Sequence, residues 1–132
     1  MKNFILTKEE RDELREHLSN LLANGFADVC GFIDVDYNEN AYEMARYELY
    51  VINKHKDVAC HEDIQAQMLL TNGYLILTDE EGEKHHLTLK KILKVTECSE
   101  NFQGWEKLEN EGDFYDNNAI LQEAIYGEVI YG

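Results

Sequence analysis

Two short runs, Tyr74-Leu75-Ile76-Leu77-Thr78 and His85-His86-Leu87-Thr88-Leu89, flank the polar linker Asp79-Glu80-Glu81-Gly82-Glu83-Lys84. Apolar and β-branched residues on either side of a short, glycine-bearing polar connection predict a β-hairpin. A hairpin commits this part of the chain to antiparallel pairing, and most of what surrounds it reads as helix. From Leu6 to Gly25, Thr7 and Glu10 form a capping-box pair, Leu14, Leu18, Leu21 and Leu22 recur at helical spacing, and Asn24-Gly25 supplies a stop. The remaining face of that segment alternates in charge sign from Lys8 to Glu16, the pattern of a solvated surface.

The other segments follow the same logic. Phe26 to Asp36 is expected to be a short strand or extended segment, with Val29, Ile33 and Val35 on one side. Asn38 to Lys56 is read as a second helix with Ala41, Met44, Ala45, Leu49 and Ile52 on one stripe. His61 to Thr71 is read as a helix with Ile64, Met68 and Leu69 inward, and Lys90 to Glu97 as a short one. Gly104-Trp105 opens an acidic loop around Gly112, Asp116 to Tyr126 is a further helix, and Val129-Ile130-Tyr131 is expected to dock as an edge strand. The fold class is α+β: several short helices packed with a β-hairpin or small antiparallel sheet. The 132 residues hold no proline-rich or low-complexity linker, so residues 1–132 are read as one domain.

Charge limits the function. There are 27 acidic and 12 basic side chains, a net charge of −15, yet 44% hydrophobic residues and fourteen aromatics provide material for a core. Proteins that bind nucleic acid directly gain most of their affinity from a basic surface, so that class is disfavoured. The stretch 97–132 holds nine acids against Lys107 alone, which is −8 of the −15. The first six residues are too short an apolar run for a signal peptide, and no window reaches the length of a membrane span. Cys30, Cys60 and Cys98 are too few and too scattered for a disulfide framework, which points to a reducing, cytoplasmic setting.

Candidate chemistry is sparse. Asp34-Val35-Asp36-Tyr37-Asn38-Glu39-Asn40 alternates oxygen ligands like a calcium loop, but Glu39 stands where the turn needs glycine and Ala45 where a bidentate glutamate belongs. Cys60, His61, His85 (or His86) and Cys98 carry the donors that zinc prefers, without a recognised clip spacing. Neighbouring His85 and His86 would point to opposite faces of a strand, so only one could serve such a site. Cys60 beside His61 at a helix N-terminus is the one candidate nucleophile, opposed by Glu62 and Asp63. No nucleotide-binding or hydrolase fingerprint occurs, and no cofactor is required by any motif.

The surface carries the leading expectation. Trp105, Glu106, Glu109, Glu111, Asp113, Tyr115 and Asp116 combine aromatic anchoring area with negative charge, a pairing suited to a basic protein partner. In size and charge the chain resembles small acidic proteins of phages and plasmids that imitate the phosphate backbone and block nucleic-acid-binding enzymes. That resemblance implies occupation of a basic groove, with no nucleic acid or membrane bound directly. Two alternatives stand beside it: a small zinc-stabilised module using Cys60, His61, His85 and Cys98, and a small enzyme whose site has no sequence signature.

Overall fold

A computed structural model describes residues 6–26, 31–52 and 60–131. Its elements run α1 (Lys8–Gly25), β1 (Phe32–Asp36), α2 (Glu39–Tyr47), a π-helical turn (Glu48–Ile52), α3 (His61–Leu70), β2 (Tyr74–Asp79), β3 (Lys84–Thr88), α4 (Leu89–Cys98), α5 (Trp105–Glu111) and α6 (Phe114–Tyr126). The strands form an antiparallel sheet in the order β1-β2-β3. This is the small α+β fold expected from the hairpin and its helical surroundings. None of the described helices is long and apolar enough to cross a membrane.

The molecule is built around α3. Every residue from Ile64 to Leu70 is buried, so the helix is enclosed on all sides and not merely along the Ile64, Met68 and Leu69 stripe. Enclosure requires Gln65 and Gln67 to find partners inside. Gln67 Oε1 accepts from Arg15 Nη1 of α1 at 3.2 Å, and Gln65 lies 3.3 Å from His61 Nε2 one turn earlier. Arg15 is itself buried, with its second guanidinium nitrogen on Asp12. Around α3 pack Leu18, Leu21 and Leu22 of α1, Ala45 of α2, and the strand β2, in one core that also holds Ile92 and Val95 of α4 and Ile120 and Leu121 of α6.

The hairpin closes the core on the sheet side. Leu75 and Leu77 of β2 and Leu87 of β3 are fully buried, alternating with exposed or half-buried Tyr74, Ile76 and Thr78. β1 joins by pairing Val35 with Leu77 and Asp36 with Ile76. A bulge between Phe32 and Asp34 changes the expected side assignment: Phe32 is buried, whereas Ile33 is turned out and 56% exposed. Val29 of the expected extended segment lies outside the described residues. Leu89 belongs to α4 instead of the second strand, because Thr88 Oγ1 caps that helix by accepting from the Lys91 amide at 3.3 Å.

Three further expectations are corrected. The second helix does not run unbroken from Asn38: its α-helical part ends at Tyr47 and a π turn follows, while residues 53–56 lie outside the description. The acidic stretch before Gly112 is a helix, α5, because Leu108 buries itself and Trp105 docks on α1. The tail Val129-Ile130-Tyr131 is docked, but not as a strand.

Its docking partner is a buried glutamine. Gln122 Oε1 accepts the Ile130 and Tyr131 amides at 2.9 and 2.8 Å, and Gln122 Nε2 donates to the Tyr131 carbonyl at 2.8 Å. The primary amide thus offers the tail one acceptor and one donor, as a neighbouring peptide group would, without any ladder to extend. Asn118, one turn earlier, accepts from Gln122 at 2.7 Å and donates to the carbonyl of Gly25 at 3.0 Å, joining the end of α1 to the same network. Gly25 allows the close approach there, since a β-carbon would force the Leu121 side chain to shift.

Gln122→Leu removes the acceptor and donor while keeping an apolar side chain of similar length. We expect it to cost about 1–3 kcal/mol of stability. Hydrogen exchange at Ile130 and Tyr131 is expected to rise to free-chain rates while the amides of β2 stay protected. Unchanged exchange at the two tail amides would refute this account of the tail.

Candidate functional site

The acidic residues singled out from sequence lie on α5, on the turn after it, and on the first turn of α6. α5 is short and polar, and its position comes from contacts with α1. The Trp105 ring stacks on His17 with centroids 5.1 Å apart and planes within 1°, while Phe102 meets Trp105 edge-on at 5.0 Å. His17 Nδ1 also lies 2.7 Å from Glu109 Oε2, and its Nε2 lies 3.6 Å from Glu13. Trp105 and Glu109 are therefore half-buried and engaged with His17. Both hold α5 against α1.

The rest of the set remains outward. Glu106, Glu111, Asp113, Tyr115 and Asp116 are all exposed. Asp113 and Asp116 form a capping box, each carboxylate accepting the other residue's amide at 3.0 Å, which starts α6 at Phe114, earlier than expected. Tyr115 lies against Phe114 with ring centroids 4.2 Å apart. A shallow groove of about 200 Å³ separates the two helices, with Phe102 and Leu108 among its apolar lining and Lys107, Glu111 and Asp116 at its polar edge.

Neutralisation is what decides the electrostatics of this ridge. Of the nine acids between 97 and 132, Glu97, Glu100, Glu106, Glu111, Asp113, Asp116 and Glu128 are exposed. The two half-buried ones take neutral or histidine partners: Glu109 takes His17, and Glu123 accepts from Ser99 Oγ at 2.6 Å and Asn101 Nδ2 at 3.1 Å. Lys107 directs its ammonium to Gln103 Oε1 at 2.8 Å, not to a carboxylate. Among the described residues, no lysine or arginine forms an ion pair with any of these nine.

The zinc candidates are not assembled. Cys60 is an exposed cap residue of α3, 3.9 Å from Ser19 Oγ, and its amide donates to Asp63. His61 Nδ1 lies 2.8 Å from the Tyr42 hydroxyl, within an aromatic cluster with Tyr37. Cys98 is exposed at the end of α4. His85 is occupied at the hairpin, its Nε2 lying 2.9 Å from Asp79 Oδ2. The calcium-like run is divided between β1 and α2: Asp36 accepts the Tyr37 amide, and Asn38 caps α2 through the Ala41 amide at 3.0 Å.

Among the described residues, Asp79, Glu83 and His85 bring three ligand-type atoms within 4.8 Å of one another. Their geometry is accounted for by the hairpin. Asp79 Oδ1 accepts the Glu81 and Glu83 amides at 2.8 and 2.9 Å, and its other oxygen faces His85. An aspartate opening a glycine-bearing turn was visible in the sequence, but its partner six residues on was not. His17 and Gln122 gave no comparable signal, since one polar residue on a helix says nothing about which distant element it meets.

The His85 hydrogen bond, aided by the two turn amides, holds the Asp79 carboxyl below its ordinary value of 3.8 against the opposing effect of burial. A lowered folded-state value means that ionised Asp79 stabilises the fold fully above the unfolded carboxyl value. That contribution is lost as the pH falls through the lower folded value. We expect the stability gap between the wild type and Asp79→Asn to be largest near neutral pH and to shrink on acidification below 3.8. Denaturant unfolding across that range measures it, and a constant gap would contradict the assignment. No protein-family model matches this chain, and no curated protein or solved structure matches it either.

Proposed function

We propose that this is a non-enzymatic interaction protein whose acidic ridge, on α5 and the first turn of α6, occupies a basic groove of a nucleic-acid-binding protein in place of the phosphate backbone. The observation that supports this reading is unneutralised charge: four exposed carboxylates on the ridge, Glu106, Glu111, Asp113 and Asp116, and three more exposed on other elements, Glu97, Glu100 and Glu128, with no lysine or arginine pairing to any of them among the described residues. Carboxylates serving only solubility are usually interspersed with cations, which screen them at short range. Here the neighbouring cation is turned to a glutamine.

The mechanism is competitive. A groove that binds nucleic acid derives its affinity from lysines and arginines facing phosphates, and carboxylates on a rigid helix can meet the same cations. The His17-Trp105 stack fixes α5 before binding, which limits the ordering cost of association. Tyr115 adds exposed aromatic area beside the charges.

Immobilised protein is expected to retain a basic protein from lysate at low salt and to release it when salt is raised or when duplex DNA is added as competitor. The triple variant Glu100→Gln, Glu106→Gln, Glu111→Gln removes three exposed carboxylates that carry no structural hydrogen bond. It should lose most of that retention. Partners that are indifferent to salt, to DNA and to the triple variant would refute the proposal.

A further inference from the structure

A second surface lies on α2 and the π turn. Met44, Tyr47 and Val51 are 62%, 53% and 55% exposed, and they follow one another at the spacing of a single helical stripe. Three large apolar side chains exposed on one face over about 10 Å of helix are not explained by the core. The opposite face already supplies Ala45 and Leu49, buried at the i and i+4 positions. The helix is thus apolar on two sides, and only one has a partner within the described residues.

The π turn sits at the point where this second stripe continues. Such turns are uncommon, and they recur at functional positions in helices. Across it Leu49 stays in the core while Val51 faces out. Methionine at the start of the stripe adds an unbranched, polarisable side chain that adapts to varied apolar partners.

Charge selects the occupant. Glu39 and Glu43 are exposed along one flank of the stripe, Glu43 one turn before Tyr47. Glu48, on the other flank one turn after Met44, is half-buried and already engaged. The one cation on this element within the described residues, Arg46, lies 3.5 Å from Glu43 and against the Tyr50 ring. An apolar seam bordered by exposed carboxylates along one flank complements an apolar seam bordered by lysines or arginines. A second copy of this chain would bring the same carboxylates face to face, with a net −15 on each molecule.

We infer that the outer face of α2 and the π turn is a docking surface for a cationic amphipathic helix, which lays its apolar seam on Met44, Tyr47 and Val51 and its basic flank on Glu39 and Glu43. This surface is separate from the ridge of α5 and α6, and the inference does not depend on the function proposed for that ridge. The packing is of the ridges-into-grooves kind, with apolar contact providing affinity and the carboxylates fixing register.

The test uses a synthetic peptide of about four turns with leucines on one face and lysines on the flanks, and an isomer of the same composition with its amphipathicity scrambled. The intact protein should bind the amphipathic peptide about ten-fold more tightly than the isomer by fluorescence anisotropy. The double variant Met44→Glu, Val51→Glu adds two negative charges at exposed positions where folding should be unaffected, which circular dichroism checks. Docking through the apolar seam predicts that this variant loses the ten-fold preference despite its greater charge. Attraction by charge alone predicts tighter binding of both peptides by the variant, and that result overturns the inference. Concentration-dependent dimerisation of the wild type that Met44→Glu abolishes would assign the face to a second copy instead, and equally overturn it. The variant Glu100→Gln, Glu106→Gln, Glu111→Gln serves as the control: it should keep the peptide preference, so that failure of one surface is distinguishable from failure of the other.

Discussion

The interaction on which the rest of the structure depends is the enclosure of α3. A ten-residue helix buried on every side from Ile64 onward can be accepted only if its two glutamines are matched, and the match to Gln67 comes from Arg15, drawn in from α1. A buried guanidinium with a partner on each arm is costly to rearrange, because removing either partner leaves desolvated charge behind. This pairing fixes how α1 lies over α3, and Ser19 of α1 adds a second tie to Asp63 at the start of the same helix. Once α1 is placed, its far end receives α6 through Gly25 and Asn118, and its exposed side receives α5 through His17.

That chain of dependence explains how a molecule with a charge of −15 can carry an unneutralised acidic ridge. Self-repulsion among carboxylates weakens any compact state, and a seven-residue helix has almost no stability of its own. α5 persists because Leu108 is buried and Trp105 is clamped between His17 and Phe102, and α6 because its capping box and the Asn118-Gln122 network hold both ends. The ridge thus stands on apolar and hydrogen-bonded supports that are indifferent to salt, while its outer surface responds strongly to it.

How much of this was legible in the sequence depends on the range of each interaction. Local signals held. The Thr7/Glu10 capping box, the leucine spacing of α1 and the pairing of the two runs around the hairpin turn appear as read, apart from the loss of Leu89 to α4, because each rests on contacts within a few residues. The misreadings are long-range or depend on a local irregularity. The bulge at β1 turned Ile33 outward and Phe32 inward, and the one-residue shift was invisible to a period-two pattern. α5 looked like a loop because its stabilising contacts come from His17, far away in the chain. The tail looked like a strand because it is apolar, yet its partner is the side chain of Gln122. The candidate site divides in the same way. Composition singled out the acidic stretch as a candidate, but it did not tell that Glu109 and Trp105 lie half-buried against His17 while Glu106, Glu111 and Asp116 face outward. On α2 the expected stripe of Ala41, Ala45 and Leu49 does face the core, but Met44 was placed with it and points outward, because it fits both faces of a helix that is apolar on two sides.

The most direct measurement of the central claim, that repelling charge is gathered on one folded ridge, is the salt dependence of stability in the wild type and in the Glu100→Gln, Glu106→Gln, Glu111→Gln variant. Screening shortens the reach of charge from about 20 Å near 0.02 M salt to about 4 Å near 0.5 M, so a concentrated ridge should be relieved by salt. The account predicts that added salt raises the wild-type unfolding midpoint clearly, and that the variant is more stable at low salt with a much smaller response. Parallel salt responses in the two proteins would contradict it, since the charge would then be spread over the whole surface.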